Sequence, residues 1–215
     1  MRFESKYSID PIYQGKFLTW LFTSRLCFKK CYNDRQVNSL YYDSLNYKAL
    51  IDNIDGISNR SKVRLRWYGS SDLPRSASLE IKHKRNSLGF KDVFNLDNIQ
   101  DFTNHRSLLR ALYKIVPIKQ KKYLFTYSYP TAIIRYTRSY YLSKCREIRI
   151  TIDKNIRYSR QRNNKFNLKY QFPLNRNIIV ELKYNEEFKD YLTANLRNFP
   201  LRISKNSKYV NTFPI

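Results

Sequence analysis

Histidine and cysteine are scarce in this chain, with two and three copies among 215 residues. Cys27, Cys31 and Cys145 make no disulfide framework, and with only His83 and His105 beside them they supply no zinc spacing. Cys27 and Cys31 fall near the end of a predicted helix and read as packing residues rather than a redox pair. A reducing cytosol fits this usage. Long apolar runs are missing too. The longest clusters, such as FLTWLF at 17–22, fall far short of the roughly 20 residues that a membrane span needs. The start, MRFESKYSID, lacks the apolar segment of a secretory leader, so a cytoplasmic protein without its own transmembrane segment is expected. No repeat, low-complexity tract or Pro- or Gly-rich linker marks a boundary. Residues 1–215 are therefore expected to form a single domain, long enough to bury a core.

Acidic residues are also few: 17 Asp and Glu stand against 41 Lys and Arg, a formal charge of +24. An excess of that size calls for a polyanionic partner, whether nucleic acid, polyphosphate or an anionic membrane. Part of it accompanies a joint richness in Lys, Asn, Ile, Tyr and Phe, which coding sequence poor in G and C produces without selection for binding.

Strand patterns dominate what is present. Residues 2–7 alternate; Asp10 and Pro11 then open a helix whose stripe is Ile12, Phe17, Leu18, Leu21, Phe22 and Leu26. VNSLYYDS (37–44) is strand-like and DNIDGISN (52–59) has turn chemistry. KVRLRWYG, ASLEIKHK and GFKDVFNL follow with short polar connections, as in a meander. A helix is expected near 104–115, with Leu108, Leu109, Leu112 and Ile115 on its apolar side. KYLFTYS, AIIRYTRSYYL, REIRITID and NIIVELKY read as further strands, 155–170 as a basic irregular loop, and 186–197 as a last helix.

Period 2 assigns each strand side chain to a face. One face of KVRLRWYG carries Lys62, Arg64 and Arg66, the other Val63, Leu65 and Trp67. ASLEIKHK sets Glu80, Lys82 and Lys84 against Leu79 and Ile81. REIRITID sets Glu147, Arg149, Thr151 and Asp153 against its isoleucines, and NIIVELKY sets Glu181 and Lys183 against Val180 and Leu182. A solvated outer face would explain one such strand. The recurrence of Glu-x-Lys at 4–6, 80–82 and 181–183 is harder to obtain by surface drift, and curling the sheet would gather these groups into a lumen.

FESKY, VNSLYYDS, NIDGISNRSKVRLRWYG, LEIKHK, RYTRSYY, REIRITID, VELKY and SKYV, in that order, resemble the VTC domain over nearly the whole chain. This is the polyphosphate polymerase branch of the triphosphate tunnel metalloenzymes, related to the CYTH domains. The resemblance implies an α+β fold: a closed antiparallel barrel of about eight strands forming a tunnel, with helices outside. It implies transfer of the terminal phosphoryl group of ATP to inorganic polyphosphate, with Mn²⁺ or Mg²⁺ as cofactor.

Carried over residue by residue, the resemblance makes Lys6, Arg64, Arg66, Lys82, Arg138, Arg149 and Lys208 the catalytic cations. Arg60, Lys62, Lys84 and Lys91 become further substrate contacts, since arginine grips two oxygens and lysine acts as a movable point charge. Glu181 is the first metal ligand. Glu4 and Glu80 are either further ligands or partners that orient the adjacent lysines. His83 falls on the apolar side of its strand and reads as packed. Two alternatives share the fold: a hydrolase of tripolyphosphate or a nucleoside triphosphate, and a non-catalytic polyphosphate-binding domain. Nucleic-acid binding is disfavoured, because the glutamates mixed among the cations would repel a phosphodiester backbone. The larger eukaryotic relatives carry membrane helices, so a separately encoded membrane subunit is a possible partner.

Overall fold

The computed structural model describes residues 2–70, 74–86, 88–99, 102, 104–161, 166–167, 171–174 and 176–213. The elements run β1 (Arg2–Ile9), α1 (Gln14–Thr23), β2 (Lys29–Asp43), α2 (Lys48–Ile54), β3 (Arg60–Tyr68), β4 (Ala77–Arg85) and β5 (Leu88–Leu96). They continue with α3 (His105–Ile115), α4 (Ile118–Thr126), β6 (Tyr129–Leu142), β7 (Arg149–Arg160), β8 (Phe172–Pro173), β9 (Ile178–Asn185) and α5 (Lys189–Asn195). The fold is α+β, as expected.

The ladder order is β1-β9-β7-β6-β2-β3-β4-β5, with β8 pairing β7. Closure is where the expectation fails. Among the described residues β1 pairs with β9 and β5 with β4, and the order ends there, so the hydrogen-bonded ring of a closed barrel is not completed.

The chain divides into two compact units. Unit 1 holds Met1–Arg35, Tyr136–Ile156 and Asn175–Ser207; unit 2 holds Gln36–Arg135, Arg157–Leu174 and Lys208–Ile215. In unit 1, α1 buries Phe17, Trp20 and Leu21 in a core with Ile148, Ile150, Ile152, Val180 and Leu182. Phe199 meets Trp20 edge-on at 4.6 Å, and the Trp20 indole N–H donates to the carbonyl of Arg197 at 3.1 Å. In unit 2, Val63, Leu65, Trp67, Leu79 and Ile81 pack with Leu108, Leu112 and Leu124. These are the apolar halves of the alternating strands. Each such side chain gains about 1.5–3 kcal/mol on burial, which fixes register because a one-residue slip would exchange the faces.

Two local expectations are corrected. KYLFTYS is not a strand: Pro117 ends α3, and α4 then puts Leu124 into the core with Tyr127 following, a helical spacing that is hidden when the segment is cut at Lys122. DNIDGISN is not all turn. Its first residues finish α2, and the reversal comes at Gly56, whose φ of 72° lies in the left-handed region open to glycine. Cys27 is exposed in the loop after α1 and Cys31 half-buried on β2, so neither packs at a helix end. Of the expected loop 155–170, residues through Arg160 continue β7, while 162–165 and 168–170 lie outside the described residues. Among the described residues no helix is long and apolar enough to cross a membrane.

Candidate functional site

Unit 2 carries the more strongly charged strand face. Alternation along β3 buries Val63, Leu65 and Trp67 and leaves Arg60, Lys62, Arg64 and Arg66 half-buried on the opposite side. The ladders extend this face: Arg64 lies opposite Glu80, Lys62 opposite Lys82, Arg60 opposite Lys84, and Lys82 opposite Lys91. Glu80 is the only carboxylate at these positions on β3, β4 and β5.

Both Glu80 oxygens are held by cations. Oε2 accepts from Arg64 Nε at 2.7 Å and Nη2 at 2.5 Å, while Arg66 Nη1 and Lys91 Nζ lie 3.6 and 3.4 Å from Oε1. Burial works to raise the Glu80 pKa, but Arg64 and Arg66 outweigh it and bring the carboxyl down to about 2. Lys62 donates to Asn53 Oδ1 at 2.6 Å and Arg60 to the Ile57 carbonyl at 2.5 Å. Lys82, Lys84 and Lys91 are exposed.

Strand β2 completes the face with neutral groups. Ser39 lies opposite Arg66 and Tyr41 opposite Arg64, and Arg64 Nη1 donates to Tyr41 Oη at 3.2 Å. Burial tends to raise the Tyr41 pKa, yet Arg64, Arg66 and Lys208 together lower it. Lys208 is therefore near the arginine pair, brought by Tyr209, whose ring stacks on Tyr41 with centroids 5.1 Å apart. Ser39 Oγ is buried with no hydrogen-bond partner among the described residues.

Unit 1 carries a balanced face. Lys6 stands opposite Glu181, Glu4 opposite Lys183, and Thr151 opposite Glu181. Arg138 grips the fully buried Asp153 with two bonds, Nε to Oδ1 at 2.5 Å and Nη2 to Oδ2 at 2.7 Å, and its Nη2 lies 3.4 Å from Glu181 Oε2. Burial would lower the Arg138 pKa, but Tyr136, Asp153 and Glu181 raise it well above the ordinary value. Lys183 Nζ joins two carboxylates, at 2.7 Å from Glu181 and 3.6 Å from Glu4. Lys6 Nζ lies 3.4 Å from Glu4 and donates to the Asn206 carbonyl at 3.2 Å. Arg149 shares the strand face of Thr151 and Asp153 but is exposed, in a recess with Arg146, Glu147 and Asn185.

The structure thus groups Arg64, Arg66, Glu80, Lys91 and Lys208 in one unit, and Lys6, Glu4, Arg138 and Glu181 in the other. His83 is packed as expected. Phe90 stacks on it at 4.7 Å, and its Nδ1 lies 2.9 Å from Ser61 Oγ. Sequence reasoning passed over Ser39, Tyr41, Asp153 and Lys183 as site members. Period 2 puts Ser39 and Tyr41 on one face of VNSLYYDS, but neutral side chains do not stand out in a search for charge.

Among the described residues no group of three or more His, Cys, Asp or Glu is disposed to hold a metal ion. Glu4 and Glu181 converge on Lys183 and bring two hard-oxygen side chains to one cation. Thr151 Oγ1 is buried with no hydrogen-bond partner among the described residues and belongs to the residue opposite Glu181.

A family model described as the VTC domain matches residues 2–214. Among solved structures, one similar to this chain is a Vibrio parahaemolyticus protein provisionally named an adenylate cyclase. It has a TM-score of 0.54 and 14% identity, with 98% of this chain and 97% of that one covered. Another is a Pyrococcus horikoshii protein with a TM-score of 0.49 and 12% identity, covering 99% and 97%. No curated protein matches the sequence. At such identities the Vibrio likeness speaks to fold alone.

Proposed function

The chain belongs to the VTC domain family, and we propose that it is a polyphosphate polymerase. In that reaction a terminal polyphosphate oxygen forms a bond to the γ-phosphorus of ATP, the bond to the β-phosphate bridging oxygen breaks, and ADP leaves. The observation that supports this reading best is the charge of the β3–β5 face, where Arg64, Arg66, Lys62, Lys82 and Lys91 surround a single carboxylate already spent on ion pairs. Such a face attracts an anion with closely spaced charges. Phosphoryl transfer asks little covalent work of the protein, so positioning and charge neutralisation carry the catalysis.

Arg64 and Arg66 are the residues for direct phosphate contact, with Ser39 and Tyr41 adding neutral donors. Lys208 supplies a further point charge, and Arg60, Lys62, Lys82, Lys84 and Lys91 extend the attraction along the strands. Lys6 and Arg149 serve the same purpose on the unit 1 face. Arg138 is a positioning residue in this scheme, because its guanidinium is occupied by Asp153 and directed at Glu181.

The unit 1 residues fit a divalent ion that takes few protein ligands. Mg²⁺ and Mn²⁺ favour hard oxygen, and Mg²⁺ in phosphoryl-transfer sites commonly takes one or two carboxylates plus phosphate oxygens. Glu181 and Glu4 would hold the metal, and when bound it would neutralise charge on the transferring phosphoryl group. Glu80, gripped by Arg64 through Nε and Nη2 on a strand face that brings no second carboxylate to it among the described residues, serves instead to orient Arg64 and Arg66. The proposed setting is cytoplasmic, with a separately encoded membrane subunit wherever the product is to cross a bilayer.

Incubation of purified protein with ATP and Mn²⁺, with products resolved by gel and by a free-phosphate assay, tests the proposal. Long chains are expected. Free phosphate alone would make the protein a hydrolase, and polyphosphate retention without product would make it a binding domain. Arg66→Ala and Glu181→Ala should each abolish product while leaving the thermal unfolding cooperative; if both stay active, the assignment of these faces fails.

A further inference from the structure

We propose that the α3–α4 hairpin of unit 2 docks on an anionic lipid surface. From Asn104 to Tyr129 the sequence contains no Asp or Glu, while Arg106, Arg110, Lys114, Lys119, Lys121 and Lys122 are all cationic. Leu108, Leu112 and Leu124 turn inward to the core. Arg106, Arg110 and Lys114 recur every four residues along α3 and are all exposed. On α4 the outward face follows the spacing Ile118, Lys122, Phe125, with Lys119 beside it, and here lies the decisive feature. Ile118 is 83% exposed and Phe125 80% exposed, so two large apolar side chains protrude on either side of a lysine.

Cations alone would suit any polyanion. Protruding Ile and Phe side chains gain nothing from a phosphodiester backbone, and an isoleucine offers no ring for a base to stack on. Both side chains gain by entering the acyl boundary of a bilayer while the neighbouring lysines and arginines meet anionic headgroups, the pattern of an interfacial helix. The hairpin also packs against the apolar side of the strands, through Val63, Leu65 and Trp67, the reverse of the side bearing Arg64 and Arg66. Docking would therefore leave the proposed phosphate face of this unit free.

The test must separate docking from adsorption by net charge, since the whole chain carries +24. Co-sedimentation of the full chain with vesicles of phosphatidylcholine alone, and with one quarter phosphatidylglycerol, is compared with the charge-neutral double variant Ile118→Ser, Phe125→Ser. Wild type should bind the anionic vesicles and not the neutral ones. The double variant should lose about tenfold or more in affinity, with unfolding midpoint and polyphosphate retention unchanged. Lys119→Gln and Lys122→Gln should each cost about fivefold. Undiminished binding by the double variant overturns the proposal, as does equal binding to both vesicles. So does failure to bind vesicles by a protein that captures RNA or an acidic protein through the same residues.

Discussion

Tyr209 Oη donates a 2.7 Å hydrogen bond to Asp43 Oδ2 across 166 residues of sequence. The same carboxylate accepts from the backbone N–H of Ser44 and of Ala49, each at 2.7 Å, and of Leu50 at 3.1 Å. One buried anion thus satisfies N–H groups at the start of α2, where the helix dipole favours negative charge, and fixes the segment that carries Lys208. Burial first, and then the Asp43 charge, push the Tyr209 pKa up, so the phenol remains a donor. The Tyr209 ring in turn rests on Tyr41, which accepts from Arg64.

Tyr209→Phe keeps the ring and deletes this bond. Loss of a hydrogen bond to a charged acceptor should cost about 1.5–3 kcal/mol, read as a lower urea midpoint. Asp43 retains three backbone donors, so the variant should still fold. Its polyphosphate affinity should fall because Lys208 is less firmly placed, and Tyr209→Phe with wild-type stability and affinity would mean that the bond holds nothing of importance.

Strands β1, β3, β4, β5, β6 and β9 were legible because period 2 survives in a sheet that is apolar on one side. The same periodicity named Arg64, Arg66, Glu80 and Glu181 as occupants of charged faces. What it left out follows from physical causes. Helix α4 buries chiefly Leu124, too little for a full apolar stripe. Helix α2 owes its start to Asp43, outside its own first turn, which no local window includes. Tyr41 and Ser39 acquire their place from cross-strand register with Arg64 and Arg66, and Asp153 from its pairing with Arg138 on another strand. Closure of the sheet depends on whether its terminal strands pair, which alternation within a strand does not encode.

Glu80 should leave a mark on the acid limb of stability. Its folded pKa of about 2 lies below the ordinary 4.5. Its contribution is therefore fully present above about pH 4.5 and is lost as pH falls through 2, amounting to about 3 kcal/mol. Urea midpoints measured from pH 5 down to pH 2 should fall in wild type and fall less in Glu80→Gln. At pH 7 that variant should start lower, with Arg64 and Arg66 left facing each other, and added polyphosphate should raise its midpoint more than that of wild type. An unchanged acid limb in Glu80→Gln would remove Glu80 as its source.

Asp153 is fully buried, and Arg138 donates to both of its oxygens. Arg138→Met removes the guanidinium that grips a buried carboxylate and should cost about 3–5 kcal/mol. Arg138→Lys keeps the charge but loses the two-pronged grip, and should recover only part of that. The double variant Arg138→Met, Asp153→Leu should be more stable than Arg138→Met alone while remaining inactive, because Glu181 has lost its positioning partner. Thermal unfolding of the three proteins checks the order, and a double variant no more stable than Arg138→Met would refute it.

Lys183 offers a test of the metal assignment that does not depend on turnover. Its ammonium stands between Glu181 and Glu4, where a divalent ion would have to draw on the same oxygens. Lysine and metal are competitors there. Lys183→Met removes the cation that the two carboxylates share, leaving Arg138 beside Glu181 and Lys6 beside Glu4, and should tighten Mn²⁺ binding about tenfold, the scale of one charged hydrogen bond, while the metal-free protein becomes less stable because the two anions are less fully neutralised. Glu181→Gln should act in the opposite sense and weaken Mn²⁺ by about tenfold or more. Isothermal titration with Mn²⁺ alone, without ATP, reads both variants. Weaker binding in Lys183→Met would show that the lysine supports the metal site instead of occupying it, and unchanged binding in Glu181→Gln would move the metal elsewhere.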